Sequence, residues 1–132
     1  MTKLPLIEIY CDSTTKAAGI YIPQIGKGKQ IIYDIIKTVN EGEFEAMLIA
    51  LEYAKYLLGN AFNINIYSDS QLVVKNITKG WKIRANNLKE ISEQCKVSFA
   101  GMAHLGVNIH WIPREQNKIA DALSYGKGIK ID

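Results

Sequence analysis

The chain has 132 residues, 48% of them hydrophobic and 22% charged, a composition that fits a single globular domain over residues 1–132 with a real buried core. The formal net charge of +3 is too small to argue by itself for a nucleic-acid partner. No stretch is apolar enough to span a bilayer and no N-terminal apolar run has the form of a secretory leader, so a cytoplasmic protein in a reducing compartment is expected.

Residues 4–11 are rich in Ile and Leu and predict a first strand, with Asp12 at its end on the side of Glu8 and Tyr10. Residues 17–24 and 30–37 predict two more strands, joined by a hairpin turn over Gly26, Lys27, Gly28 and Lys29. Residues 43–58 form the strongest predicted helix: Phe44, Met47, Leu48, Leu51, Ala54 and Leu58 make one apolar stripe, and Gly59 and Asn60 end it. A strand over 62–67 follows, then a short helix opened by Asp69 and stopped by Gly80. A second long helix runs from Asn87 to about His104, with Leu88, Ile91, Cys95 and Phe99 inward. A strand over 107–112 is broken by Pro113, and a last helix covers 116–125, before Gly126 and Gly128 loosen the tail. A three-strand meander followed by alternating helices and strands predicts an α/β fold, a mixed sheet with helices on both faces.

Cys11 lies in an apolar strand and Cys95 in a helix, so two buried thiols are expected rather than a disulfide. His104 and His110 have no paired spacing with either cysteine, which argues against zinc. Residues 70–89 contain no acid but carry Lys75, Lys79, Lys82, Arg84 and Lys89. Such a run is either a solvated face or a nucleic-acid contact.

Four acids, Asp12, Glu43, Asp69 and Asp121, fall at strand ends or on helices that can turn them towards one spot. Crowded carboxylates repel, so a fold that gathers them commonly does so to hold divalent cations. Each has a plain structural alternative. Glu43 suits a first helical turn for dipole reasons, Asp69 suits an N-cap, and Asp121, between Ala120 and Ala122, could simply face water. Against these stands position: Asp12 and Asp69 leave neighbouring strands at the carboxyl ends, where open α/β sheets bind ligands.

Four segments together resemble the type 1 ribonuclease H family over nearly the whole chain. They are Tyr10-Cys11-Asp12-Ser13; Thr38-Val39-Asn40-Glu41-Gly42-Glu43; Tyr67-Ser68-Asp69-Ser70-Gln71; and Pro113-Arg114-Glu115-Gln116-Asn117 running on to Ala120-Asp121. The resemblance implies a five-stranded mixed sheet and hydrolysis of the RNA strand of RNA–DNA hybrids, leaving 3′-hydroxyl and 5′-phosphate ends. It implies that Asp12, Glu43, Asp69 and Asp121 are catalytic and hold two Mg²⁺ ions, with Mn²⁺ as a substitute. It places Asn40 and Gln71 in the minor groove of the hybrid and Thr38 on a phosphate of the DNA strand. It also sets Lys79, Trp81 and Lys82 beside the DNA backbone, the alternative for Trp81 being a plug under its loop. A monomer acting on hybrid is expected.

Several residues depart from the family pattern. Ser13 replaces a Gly after the first aspartate, Val39 replaces an Asn, and the basic protrusion is cut to residues 81–88, which predicts weaker, more salt-sensitive binding. The loop before the last helix lacks the family's His, leaving Arg114, also an expected substrate contact, or Glu115 in its place. Two other readings compete with hybrid cleavage: a non-catalytic nucleic-acid-binding or interaction domain on the same scaffold, and a DNA-acting nuclease of the same superfamily.

Overall fold

A computed structural model describes residues 2–127; the expectation for Gly128 and the rest of the tail lies outside them. The elements are β1 (Leu4–Ser13), β2 (Ala17–Ile22), β3 (Lys27–Ile32), α1 (Val39–Leu57), β4 (Ala61–Ser68), α2 (Gln71–Lys79), α3 (Asn86–Ala100), β5 (Val107–Trp111) and α4 (Lys118–Ser124). They build one five-stranded sheet in the order β3-β2-β1-β4-β5. The β1–β2 and β2–β3 pairs are antiparallel, while β4 joins β1 and β5 in parallel, so the expected mixed sheet is present.

Alternation along the strands sorts the two faces. Ile7, Ile9 and Cys11 of β1 and Ile20 and Ile22 of β2 enter one core with Phe44, Met47, Leu51 and Ala54 of α1 and with Leu88, Ile91 and Cys95 of α3. Gly19, between the inward-facing residues of β2, turns to the opposite face, where Ala120 and Ser124 of α4 lie against it. Cys11 and Cys95 are both free and buried. Among the described residues no helix is long and apolar enough to cross a membrane.

Three expectations need correction. The turn after β2 comes earlier than expected, because Pro23 opens a short 3-10 turn and Gly26 closes it in the left-handed region at φ 60°. Strand β3 therefore starts at Lys27 and stops at Ile32, whose partner Ala17 is the first residue of β2; beyond it only isolated bonds to the β1–β2 turn remain, from Tyr33 N to the Lys16 carbonyl at 2.9 Å and from Lys37 N to the Thr15 carbonyl at 2.8 Å. Helix α1 begins four residues before Glu43, because Thr38 caps it. The Thr38 hydroxyl accepts from Glu41 N at 3.2 Å and the Glu41 carboxylate accepts from Thr38 N at 2.8 Å, a capping box written in the sequence as Thr-x-x-Glu. Helix α2 is capped by Ser70, which accepts from Val73 N at 3.3 Å, and not by Asp69.

Candidate functional site

The last two corrections bear on the acids. With Thr38 as the cap, Glu43 stands in the second turn of α1, and the acid of the first turn is Glu41; the dipole explanation for Glu43 falls away. With Ser70 as the cap of α2, the Asp69 carboxylate is released from backbone duty. The β1–β4 register pairs Tyr10 with Tyr67, and two residues further on it sets Asp12 beside Asp69.

One oxygen each from Asp12, Glu43 and Asp69 lie within 4.8 Å of one another. Asp121 is not in that triplet, but it sits close enough to Asp12 for a carboxyl–carboxyl hydrogen bond. All four acids line one cleft of about 750 Å³, together with Lys16 and Arg114. Asp12 is 5% exposed, and the other three are half-buried.

Two glycines let the acid-bearing helices come this near. A Cβ on Gly42 would lie 2.6 Å from Ser13 Oγ and 2.7 Å from the Thr14 carbonyl oxygen, so only Gly allows α1 to abut the β1–β2 turn one residue before Glu43. A Cβ on Gly19 would overlap the Ala120 carbonyl oxygen and lie 2.6 Å from Ser124 N; its absence seats α4 on β2 and brings Asp121 over Asp12. Tyr33 braces the same corner, donating from its hydroxyl to the Gly42 carbonyl at 3.0 Å and lying 2.6 Å from Ser13 Oγ.

Burial and mutual repulsion show in the titration of the acids. Asp12 is pushed up to about 7, first by desolvation and then by the charge of Asp69, against a bond from Ser13 N that favours the ionised form. Glu43 is pushed up to about 8, again by desolvation first, then by Asp12 and Asp69, with Arg114 pulling the other way. Asp69 is raised by desolvation, opposed by a hydrogen bond from Asn117 and by Arg114. These acids are held where protons or cations must offset their charge. The donor set is all carboxylate oxygen, without sulfur or imidazole, which suits a hard divalent ion such as Mg²⁺ or Mn²⁺ and not zinc; the residues fit such a cofactor.

The expected substrate contacts lie outside this cleft, Arg114 excepted. Thr38 is exposed and caps α1, and Asn40 and Gln71 are exposed at the openings of α1 and α2. Lys79 ends α2 before Gly80, and Lys82 follows in an exposed irregular loop. Trp81 is 46% exposed, which does not suit a plug. Asn76 Nδ2 donates to its carbonyl at 2.6 Å and Lys75 Nζ stands 4.8 Å from its ring centre. His110 stacks on Tyr67 with ring centres 5.5 Å apart.

One residue of the site was missed in the sequence. Asn117 is buried, and its Nδ2 donates to the Cys11 carbonyl at 2.9 Å and to Asp69 Oδ2 at 3.3 Å. Its signal was its place in the Pro-Arg-Glu-x-Asn run. For Gly19 the sequence holds no signal at all, because nothing local marks which strand residue a distant helix will touch.

A family model described as reverse transcriptase-like matches residues 11–125. EbsB of Enterococcus faecalis, named only provisionally as a hydrolase, is 27% identical over 128 residues, covering 90% of this chain and 91% of its own length. The structure of LC11-RNase H1, isolated from compost by a metagenomic approach, superposes with a TM-score of 0.72 at 25% identity, covering 96% of each chain. The same LC11 protein in complex with an RNA/DNA hybrid superposes with a TM-score of 0.57 at 25% identity, covering 89% of this chain and 92% of its own.

Proposed function

The chain belongs to the reverse transcriptase-like family and carries the ribonuclease H fold, and from that premise we propose that it is a metal-dependent endonuclease hydrolysing the RNA strand of RNA–DNA hybrids. The observation that carries this reading is the convergence of Asp12, Glu43 and Asp69 within 4.8 Å, with Asp121 beside Asp12. The hybrid-bound structure of a similarly folded protein supports the choice of substrate. A single ribonuclease H domain over residues 1–132, acting as a monomer in the cytoplasm, is part of the same proposal.

In this reading Asp12, Glu43, Asp69 and Asp121 hold two divalent ions, Mg²⁺ or Mn²⁺. When bound, such ions acidify an attacking water and offset charge on the departing 3′-oxygen. The chain's own groups do the rest. The burial of Asp12 withdraws its carboxylate from water, which strengthens its hold on cationic charge. Arg114, exposed at the rim of the cleft and near enough to act on Glu43 and Asp69, is placed to take a non-bridging oxygen of the scissile phosphate. Asn40 and Gln71 reach the minor groove, Thr38 contacts the DNA phosphate, and Lys79, Trp81 and Lys82 lie along the DNA backbone.

Purified protein with Mg²⁺ or Mn²⁺ is expected to cleave the labelled RNA strand of a hybrid, leaving 3′-hydroxyl and 5′-phosphate ends, with little action on double-stranded DNA. Asp69→Asn is expected to lower the rate by about a hundred- to a thousandfold, the scale of losing a main stabiliser of transition-state charge. An intact hybrid in both metals, with the variant matching the wild type, overturns the proposal. Cleavage of double-stranded DNA alone favours a DNA-acting nuclease, and hybrid binding untouched by EDTA without cleavage favours a binding module.

A further inference from the structure

Asn117 stands at the N-cap of α4, where an asparagine side chain ordinarily accepts from the first turn of its own helix, yet it makes no such bond. It reaches across the sheet end instead, to Cys11 O and Asp69 Oδ2. Both partners are acceptors, so the NH₂ group must face them, and no flipped amide would serve. The residue is 2% exposed, and its Oδ1 is buried without a partner. A polar residue buried with an orphaned acceptor is costly, and here no capping bond offsets it. What it does is join three parts of the site. Its side chain grips the carbonyl one residue before Asp12 and the Asp69 carboxylate, and its main-chain carbonyl, as the first of α4, accepts from Asp121 N at 3.0 Å.

We propose that Asn117 is a positioning residue: its two amide hydrogens lock the Asp69 carboxylate to the end of β1 and to the start of the helix bearing Asp121, setting the spacing at which the acids take up divalent cations. The inference rests on the cation-binding reading of the cleft. The amide is the group that fits. A carboxylate of the same shape brings charge and no donor, and an aliphatic group fills the space while leaving Asp69 free to turn outward.

Calorimetric titration of Mg²⁺ into wild type, Asn117→Leu and Asn117→Ala tests it, at a temperature where circular dichroism shows all three folded. A space-filling role and a donor role rank the variants in opposite orders. If the side chain only fills space, Ala leaves a cavity and is the worse, while Leu is close to normal. If its donors matter, Leu is the worse, because Ala admits a water able to donate to the same two acceptors. The expected result is a fall in Mg²⁺ affinity of at least about tenfold for Asn117→Leu, a smaller fall for Asn117→Ala, and a matching loss of kcat on hybrid with KM unchanged. Wild-type affinity in Asn117→Leu, or a greater loss in Asn117→Ala, overturns the inference. Should the Leu variant not fold, Asn117→Asp replaces it, and undiminished Mg²⁺ affinity there has the same force. A wild type that takes up no Mg²⁺ overturns the reading of the cleft itself, an outcome separate from any ranking of the variants.

Discussion

Helices α1 and α4 each deliver one acid to the cleft, and they are held there by opposite means. Helix α1 has 19 residues, a full capping box and eight buried positions; it has its own reasons to form, and Glu43 rides on it. Helix α4 has seven residues, no side-chain cap and three buried positions, far below the length at which a helix persists alone in water. Its place is imposed from outside, by the notch at Gly19 and the reach of Asn117. Glu43 is therefore tied to the stability of the core, whereas Asp121 depends on a few contacts made across the sheet.

The most damaging test of that contrast is Gly19→Ala. The new Cβ meets backbone atoms of Ala120 and Ser124, which cannot swing aside as a side chain would, so α4 must lift. The expected cost is about 3 kcal/mol, the upper end of ordinary overpacking, with loss of hybrid cleavage; thermal or urea unfolding and the cleavage assay measure both. A variant with wild-type stability and activity shows that α4 docks with slack, and the contrast fails.

The same contrast governs how much could be read in advance. The capping box at Thr38, the apolar stripe of α1 and the stop at Gly80 are local, and local chemistry writes them into neighbouring residues. The four acids were legible because each falls within a family-like segment, Asp12 and Asp69 at strand ends and Glu43 and Asp121 inside helices. The early turn at Pro23 was legible too, since a proline three residues before a glycine signals it, but the Gly26-Lys-Gly-Lys run was the louder signal and misplaced the hairpin. What no window of sequence contains is the meeting of Gly19 with α4, or of Asn117 with Cys11 and Asp69, across 106 and 48 positions of chain.

Acid titration gives the next effect. In the metal-free protein Asp12 and Glu43 keep protons up to about 7 and about 8, while the unfolded chain releases them near 4. Between those limits the native state binds more protons than the unfolded one, so stability falls as pH rises from about 4 to about 8. Mg²⁺ favours the ionised acids and is expected to flatten that fall, with release of protons on binding. Glu43→Gln is expected to remove the upper part of the decline. Urea unfolding at several pH values, with and without Mg²⁺, measures this; stability that rises over the same range contradicts the desolvated cluster.

Gly42→Ala is expected to separate function from fold on the α1 side. Its Cβ presses on the Thr14 carbonyl oxygen, yet Ala gains about 1 kcal/mol over Gly within a helix, so the two effects offset. Helix α1 is sturdy enough to shift as a body and stay folded. The expected outcome is a melting temperature near wild type with weakened Mg²⁺ binding, because Glu43 moves with the helix away from Asp12. A variant that unfolds as readily as Gly19→Ala removes the difference between the two helices.

Thr38 gives the smallest effect and the finest distinction, because two roles compete for one side chain. As the cap of α1 its hydroxyl is engaged with Glu41 N, and Thr38→Ala is expected to cost about 1 kcal/mol. As a contact to a DNA phosphate the same hydroxyl would have to donate outward, which its acceptor role leaves it free to do, since one hydroxyl both accepts and donates. Thr38→Asp separates the roles: a carboxylate caps a helix as well as a hydroxyl does, but it repels a phosphate. Stability held with weakened hybrid binding at low salt identifies Thr38 as cap and contact together. Stability and hybrid binding both held make it a cap alone, and the DNA strand then passes α1 at some other point.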